Sequence, residues 1–335
     1  MDKNKQQIKP EHNPLLGVVV IGRNEASRLN STLSAVLKSG FPLVYVDSRS
    51  VDDSVDVAKS KGVDVLVLSD DRPVNASRAR NEGARALLSV YPELQYIQFL
   101  DGDTVLDENW LNLALQYMQQ HADIGFVCGQ LQEKDRDSNI YRRLCDMEWR
   151  WQETTEAEPI QLGGMGIISV EAYRKSGGYD ETLIAGADPE LYTRFKKAGW
   201  QLHVLPELMG IHDSGMYSFR QWWTRNVKTG FGFAHGKITG AWGRERRSAC
   251  IWGGVLPVIS VSAMSFNPFA ICLLAAVPAN ILKIWLSPVK REFSPYDRFL
   301  YAAFCMLGKF PQFIGMIKFH WRQYQGKAAT VIQYK

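Results

Sequence analysis

The sequence predicts an α/β fold with a mainly parallel sheet, followed by a C-terminal apolar helical region. Three observations carry this. Short apolar runs of strand length alternate with stretches of helical spacing, the pattern of βαβ units. Polar clusters follow those runs directly, where the carboxyl ends of parallel strands open onto a ligand crevice. Two apolar stretches come late, at residues 250–265 and 269–286, and basic residues flank them.

The elements follow in order. Residues 15–21, LLGVVVI, form a continuous apolar run, suited to a strand covered on both faces. Residues 27–39 have helical spacing through Leu29, Leu33, Val36 and Leu37, closed by Gly40. Residues 43–46 predict a second strand, ending at Asp47. Residues 52–61 predict a helix stopped by Gly62, residues 63–68 a third strand, and residues 76–90 a further helix. The fourth strand, 96–100, runs straight into Asp101-Gly102-Asp103. Beyond it, 107–120 reads as helix, 124–128 as strand, 140–151 as helix, and 202–205 as a strand ahead of His212-Asp213. The polar clusters at strand ends are Asn24-Glu25, Asp47-Ser48 and Asp101-Asp103.

Composition narrows the classes. With 335 residues, 46% hydrophobic and 22% charged, the chain can bury one large core or two modest ones. A net charge of +4 does not suggest nucleic acid, and the cations gather near the apolar C-terminal region. Five cysteines lie scattered without CxxC spacing, which predicts free thiols in a reducing compartment and no zinc site. Residues 1–14 are polar and have no apolar core, so a loose tail rather than a signal peptide is expected. The organisation expected is this tail, an α/β domain over 15–240, and a helical region over 241–335. No GxGxxG follows the first strand and no P-loop occurs, which argues against a dehydrogenase or an NTPase.

Asp101 and Asp103 place two carboxylates on one turn at the end of a rigid strand. Mg²⁺ and Mn²⁺ favour such hard oxygen ligands, and need few from the protein when a phosphate supplies the rest. Gly102 leaves room for the turn and for a ligand. The same tripeptide also makes an ordinary polar turn.

The segments IGRNEA, VDSRSVDDS, NASRARNEG and FLDGDT, in this order and spacing, resemble the nucleotide half of family 2 glycosyltransferases, with their GT-A fold. The resemblance continues through GGMGIISVEAYRKSGGYDE and ADPELYTRFKKAGW, so it covers residues 15–236. It implies that Glu25 and Asp47 hold nucleobase and ribose, with Ser48 standing where many relatives carry a second Asp. It implies that Arg78 and Asn81 lie over the nucleotide, that Asp101 contacts ribose or metal, and that Asp103 is the metal ligand bridging to the diphosphate. Gly163, Gly164 and Met165 would line the donor sugar and acceptor groove. Asp188 would be the general base, in a position where relatives have Glu-Asp and this chain has Ala187-Asp188.

The residues allow plainer readings too. Asp188 suits a helix N-cap with Pro189 at the first helical position. Glu25 suits a helix terminus, and Arg78, Arg80 and Arg85 a solvated helix face. Arg194 either matches the family pattern or braces its helix. His212 could complete the metal shell, touch the diphosphate, or be structural. Tyr141, Leu144, Met147, Trp149 and Trp151 read as core rather than sugar platform. Residues 221–225, QWWTR, resemble the QxxRW stretch of processive synthases, with Arg225 one position late. Trp222 and Trp223 are expected to cover the site or touch membrane.

Both apolar stretches fall short of the about 20 residues a span needs, and Pro257, Pro278, Asn280 and Lys283 interrupt them. Arg244, Arg246 and Arg247 precede them, and Lys290 and Arg291 follow. Basic flanks on both sides place both ends in the cytoplasm, so the chain would dip in and return. The other reading is a packed helical subdomain or an oligomer interface. Residues 301–318 suit an interfacial amphipathic helix. Together these imply an inverting transferase using Mg²⁺ or Mn²⁺ at the cytoplasmic face of the inner (plasma) membrane. Its partners would be a nucleotide-sugar donor, a lipid-linked or glycan acceptor and the membrane surface. The rivals are a processive polysaccharide synthase and a non-catalytic nucleotide-sugar-binding scaffold.

Overall fold

The computed structural model describes residues 14–150, 154, 158, 162–183, 186–236, 242–267, 272, 274–287 and 291–326. The expected N-terminal tail, Trp151, the start of the second apolar stretch and Lys290 lie outside these residues.

Eight strands form one sheet: β1 (Leu16–Gly22), β2 (Leu43–Asp47), β3 (Asp64–Val67), β4 (Tyr96–Asp101), β5 (Thr104–Leu106), β6 (Ile124–Glu133), β7 (Gly166–Ser169) and β8 (Gln201–His212). Their order is β3-β2-β1-β4-β7-β6-β8-β5. The four strands from β3 to β4 run parallel. β7 is antiparallel to both β4 and β6, and β5 is antiparallel to β8. β6 and β8 pair parallel, so six of the eight strands run one way, as expected, and only β7 and β5 are reversed, which makes the sheet mixed. Apolar spacing reports that a strand exists and which face it buries, but not its direction.

Helices α1 (Ala26–Lys38), α2 (Ser54–Ser60), α3 (Ala76–Val90), α4 (Trp110–Gln120), α5 (Ile140–Trp149), α6 (Val170–Lys175) and α7 (Ala187–Lys197) surround the sheet. α1 buries Leu29, Leu33 and Val36, as its spacing foretold, together with Thr32, while Leu37 stays exposed. α3 sits very close to β1, because Gly83 has no side chain and a Cβ there would overlap Val19.

Two strands outrun their sequence signal. β6 continues past Cys128 to Glu133, and β8 continues past Leu205 to His212. β5, three residues long, gave no signal of its own. Pairing explains all three: Thr104 lies opposite His212 on one side, and Glu133 opposite His212 on the other. Long-range ladder bonds hold segments whose local pattern is too short to specify a strand.

The C-terminal helices are α8 (Phe219–His235), α9 (Gly243–Cys250), α10 (Leu256–Met264), α11 (Ala276–Leu286), α12 (Pro295–Leu307) and α13 (Lys309–Tyr324). A π-helical stretch, Ile251–Val255, joins α9 to α10. The result is one helix of 22 residues, Gly243–Met264, while α12 and α13 run on as 30 residues, Pro295–Tyr324. By length and composition both could cross a membrane. The first apolar stretch thus lies in a longer helix than expected, one that begins in the basic residues ahead of it, while the second gives only the 11-residue α11, short as expected. α8 and α13 pack backbone to backbone, because a Cβ at Gly230 would overlap the Gln312 carbonyl and one at Gly315 the Val227 carbonyl. Asp297 ties α12 to the α/β domain through Arg136 at 2.7 Å and Arg143 at 3.1 Å. Trp222 is buried edge-on against Phe304 at 4.9 Å. It joins α8 to α12 and does not cover the site, as had been expected. All five cysteines are free thiols.

Candidate active site

The carboxyl ends of β1 and β4 open onto a cavity of about 500 Å³. Its wall includes Glu25, Ser48, Asn75, Arg80, Asp101, Asp103, Trp149, His212, Arg225 and Lys228. The loops beneath it interlock. Asn24 takes a left-handed backbone, φ 58°, which Asn tolerates better than most residues. Its Oδ1 accepts from Val51 N at 2.9 Å, and its own N–H donates to Ser50 Oγ at 2.8 Å. Ser50 in turn donates from its N–H and hydroxyl to Asp47, at 2.7 and 2.6 Å. Gly102 packs under the Ile21 carbonyl and Glu25 Cγ, so its missing side chain makes room for the protein itself.

Strand register builds one end of the cavity. Asp103 ends the turn before β5, and Asp213 N–H donates to the Asp103 carbonyl at 2.9 Å. His212 therefore faces Asp103, with Nε2 3.6 Å from Oδ1. On its other side His212 Nδ1 lies 3.1 Å from Glu133 Oε2. A carboxylate only accepts, so Nδ1–H points to Glu133 and Nε2 turns to Asp103. Glu133 is itself held by Ser214, whose N–H donates at 3.0 Å and hydroxyl at 2.5 Å. The Trp149 ring lies 4.8 Å from the imidazole. A carboxylate orienting a histidine whose other nitrogen faces a second carboxylate is the usual outer support of a metal-binding imidazole. Among the described residues no three His, Cys, Asp or Glu side chains could enclose an ion. The pair Asp103 and His212 thus fits a cation that takes its remaining ligands from phosphate and water.

Arg80 organises the other end. It is 5% exposed. Its Nη2 donates to Asp101 Oδ1 at 3.1 Å and its Nη1 to Asp188 Oδ1 at 3.3 Å. The guanidinium lies 5.4 Å from the centre of the Tyr179 ring. Burial opposes its charge, but Asp188, Tyr179 and Asp101 outweigh that and hold it charged. Burial likewise pushes the Asp188 carboxyl above its ordinary range; Arg80 pulls it back, and Asp101 adds to the rise. Gly164 lies directly against this pair, since a Cβ there would overlap both Arg80 and Asp188.

The glycosyl transferase family 2 profile matches residues 17–177. The chain carries a family 2 glycosyl transferase domain. Its fold is GT-A. The mannosyltransferase PcManGT from Pyrobaculum calidifontis, in complex with GDP-Man and Mn²⁺, aligns with a TM-score of 0.59 at 17% identity, over 96% of this chain and 92% of that one. S. aureus TarS 1-349 aligns over 93% and 92% of the two chains at 13% identity and a TM-score of 0.48. A search of curated proteins returns no match.

Within the transferase domain, the cavity gathers Glu25, Asp101, Asp103 and His212, with Asp188 joined to its wall through Arg80. Asp47, Arg78 and Asn81 are not on that wall and instead hold the frame. Asp47 is fully buried and also accepts from Tyr45 Oη at 3.0 Å. Arg78 donates to the carbonyls of Ser69 and Arg72, at 3.0 and 2.8 Å. Asn81 clips Tyr179 through both its N–H and its carbonyl, each at 2.9 Å. The Gly163 carbonyl accepts from Tyr192 Oη at 3.0 Å, and Met165 is buried under Thr104. Arg194 pairs with Glu190 within α7 and braces the helix to the Gly178 carbonyl.

Several plainer readings are corrected. Arg78 and Arg80 are buried, and only Arg85 keeps a solvated face. Asp188 is not the N-cap: α7 starts at Ala187, and Gly186 takes the cap position with φ 79°. Glu25 holds the N-cap position of α1, but its carboxylate pairs with Arg28 and caps no backbone N–H. Trp149 is half core and half cavity wall. Arg225, despite its shifted spacing, reaches the cavity and pairs with Glu148 at 2.7 Å. Glu133 was missed outright. Its signal was an acid two residues beyond Leu131, on the face that the strand buries.

Proposed function

We propose that the chain is an inverting, metal-dependent glycosyltransferase. It moves a sugar from a nucleotide diphosphate sugar to a membrane-held acceptor, a lipid-linked glycan or polysaccharide precursor, at the cytoplasmic face of the plasma membrane. The observation that carries this is one cavity at the strand ends, with a carboxylate–histidine pair in its wall and, behind Arg80 of that wall, Asp188, a half-buried carboxylate of raised pKa. The PcManGT complex with GDP-Man and Mn²⁺ supports a nucleotide donor and a divalent cation.

In this reading Glu25 and the interlocked loops around Asn24 and Ser48 receive the nucleoside. Asp103 and His212 Nε2 hold Mn²⁺ or Mg²⁺, with Asp101 beside them. The ion, when bound, neutralises charge growing on the diphosphate leaving group. Asp188 takes the proton from the acceptor hydroxyl as that oxygen bonds to the sugar C1. The C1–phosphate oxygen bond breaks at the opposite face, and the electron pair leaves with the nucleoside diphosphate. One displacement inverts the anomeric centre. Burial raises the affinity of Asp188 for a proton, which suits a base. Gly163, Gly164 and Met165 shape the floor for the sugar. Lys228 and Arg225 add positive charge to the opposite wall. Residues 15–240 serve donor chemistry, and 241–335 serve attachment: Val258, Val261 and Phe266 are exposed by 63, 67 and 93%, more than a water-facing surface gains from.

The test is release of nucleoside diphosphate from a panel of nucleotide sugars, with and without a lipid-extract acceptor. Metal-dependent release that Asp188→Asn abolishes while donor affinity stays supports the reading. Full transfer by Asp188→Asn contradicts the base assignment, and no release from any donor contradicts the transferase reading.

A further inference from the structure

A second cavity, of about 550 Å³, lies among the C-terminal helices and shares no lining residue with the active site. Arg244 of α9, Lys283 of α11, Arg298 of α12 and Lys309 of α13 line it, against one carboxylate, Glu245. Little of this charge is spent inside the fold. Arg298 Nη2 donates to the Trp285 carbonyl, and its buried Nε has no partner among the described residues. Among the described residues Lys309 hydrogen-bonds Gln312, at 3.4 Å, and feels the charge of Glu245. Arg244 lies 3.5 Å from Glu245 but is almost fully exposed.

The surroundings are apolar and open. No residue of α11 is buried. Ile251, Val255, Leu282, Leu286 and Phe299, on the helical segments that supply its lining, are all exposed. Four cations converging in such a setting repel one another unless an anion joins them. Guanidinium and ammonium groups together match a phosphate, the first as a fork and the second as point charges. We infer that this cavity binds the phosphate of an anionic phospholipid headgroup, with the exposed apolar side chains seated among the acyl chains. The inference rests on the membrane-surface reading above but not on the sugar chemistry.

The test uses the full-length purified chain and vesicles of phosphatidylcholine, with or without phosphatidylglycerol. Raised salt shortens the screening length to a few ångström and removes diffuse surface attraction, whereas contacts inside a cavity survive. At high salt the wild type should keep a preference on the order of tenfold for the anionic vesicles, the size of one charge-assisted hydrogen bond retained inside the cavity. The double variant Lys283→Gln/Lys309→Gln should lose it, and the control Lys318→Gln/Arg322→Gln, on α13 outside the cavity, should keep it. Stabilisation by nucleoside diphosphate verifies folding of each variant; should the first double variant lose it, Arg244→Gln replaces it. Vesicle binding without anion preference, or equal loss in the control, overturns the cavity assignment and leaves the membrane reading standing. No vesicle binding at all overturns both, while intact nucleotide binding keeps the donor reading. Stabilisation by inorganic phosphate that depends on Lys283 and Lys309, without vesicle preference, makes free phosphate the ligand and overturns the lipid.

Discussion

Replacing Arg80 by methionine tests the link between the two ends of the active site. The side chain is buried and forks between Asp101 and Asp188. Methionine fills the volume and removes the charge, leaving two carboxylates that had shared one cation. Breaking a fully buried pair costs about 3–5 kcal/mol. Here the carboxylates are not sealed, as Asp101 is 38% exposed and Asp188 26%. Solvent screens part of the repulsion, so about 1–3 kcal/mol is the expected loss. At roughly 2–4 °C for each kcal/mol in a domain of this size, the melting temperature should fall by several degrees. The pH profile gives the sharper readout. Burial already raises the Asp188 pKa, and Arg80 opposes the rise. Without Arg80 the carboxyl holds its proton to still higher pH. A base works only when deprotonated, so the acid limb of kcat/KM should move up by about one pH unit, a differential interaction of about 1.4 kcal/mol. Stability moves the other way: a raised folded pKa stabilises the protonated state, fully below the unfolded value and not above the folded one. The melting deficit of Arg80→Met should therefore shrink toward acid. Arg80→Lys, a point charge unable to fork, should fall between. An unmoved acid limb together with an unchanged melting temperature would refute the role given to Arg80.

The other predictions concern the supports. Glu133→Gln loosens His212 and should weaken Mn²⁺ binding about 10- to 100-fold, read by metal titration of thermal stability in the presence of nucleoside diphosphate. Gly164→Ala drives a methyl into Arg80 and Asp188. It should cost about 1–3 kcal/mol and lower turnover more than donor affinity. Asp213 pairs with Arg142 at 2.7 Å; burial pushes its carboxyl up, but Arg142 with the Gly215 N–H and Lys134 holds it below the usual range. That contribution is present above the unfolded pKa and lost as pH falls through the folded one. Asp213→Asn should therefore flatten the fall of melting temperature in acid, below about pH 4.

The site was legible where chemistry and spacing are local. β1 and β4 announce themselves as apolar runs, and Asp101 and Asp103 follow β4 within one turn. The hidden parts depend on pairings distant in sequence. Arg80 finds Asp101 and Asp188 across 21 and 108 residues, so its place on a helix read as solvated. The clue was the company it keeps: Ala76, Ser77, Ala79, Gly83 and Ala84 are small enough to bring α3 onto the sheet. His212 was picked out for its chemistry, yet its geometry comes from Thr104 and Glu133 on neighbouring strands. The plainer reading of Asp188 as a cap rested on Pro189 following it, but left-handed Gly186 starts the helix two residues sooner. The reversed direction of β7 and β5, and the existence of the short β5, came from pairing alone.

The most direct measurement is thermal stabilisation of the chain by UDP, GDP, dTDP and CDP, each with Mn²⁺, Mg²⁺ or a chelator, in wild type and in Asp103→Asn. A ligand at 100 times its Kd adds about 2.7 kcal/mol of stability. One diphosphate should stabilise the wild type only when metal is present, and Asp103→Asn should lose this response. Equal stabilisation with chelator, or in Asp103→Asn, would contradict the metal site, and no response to any diphosphate would contradict the donor cavity.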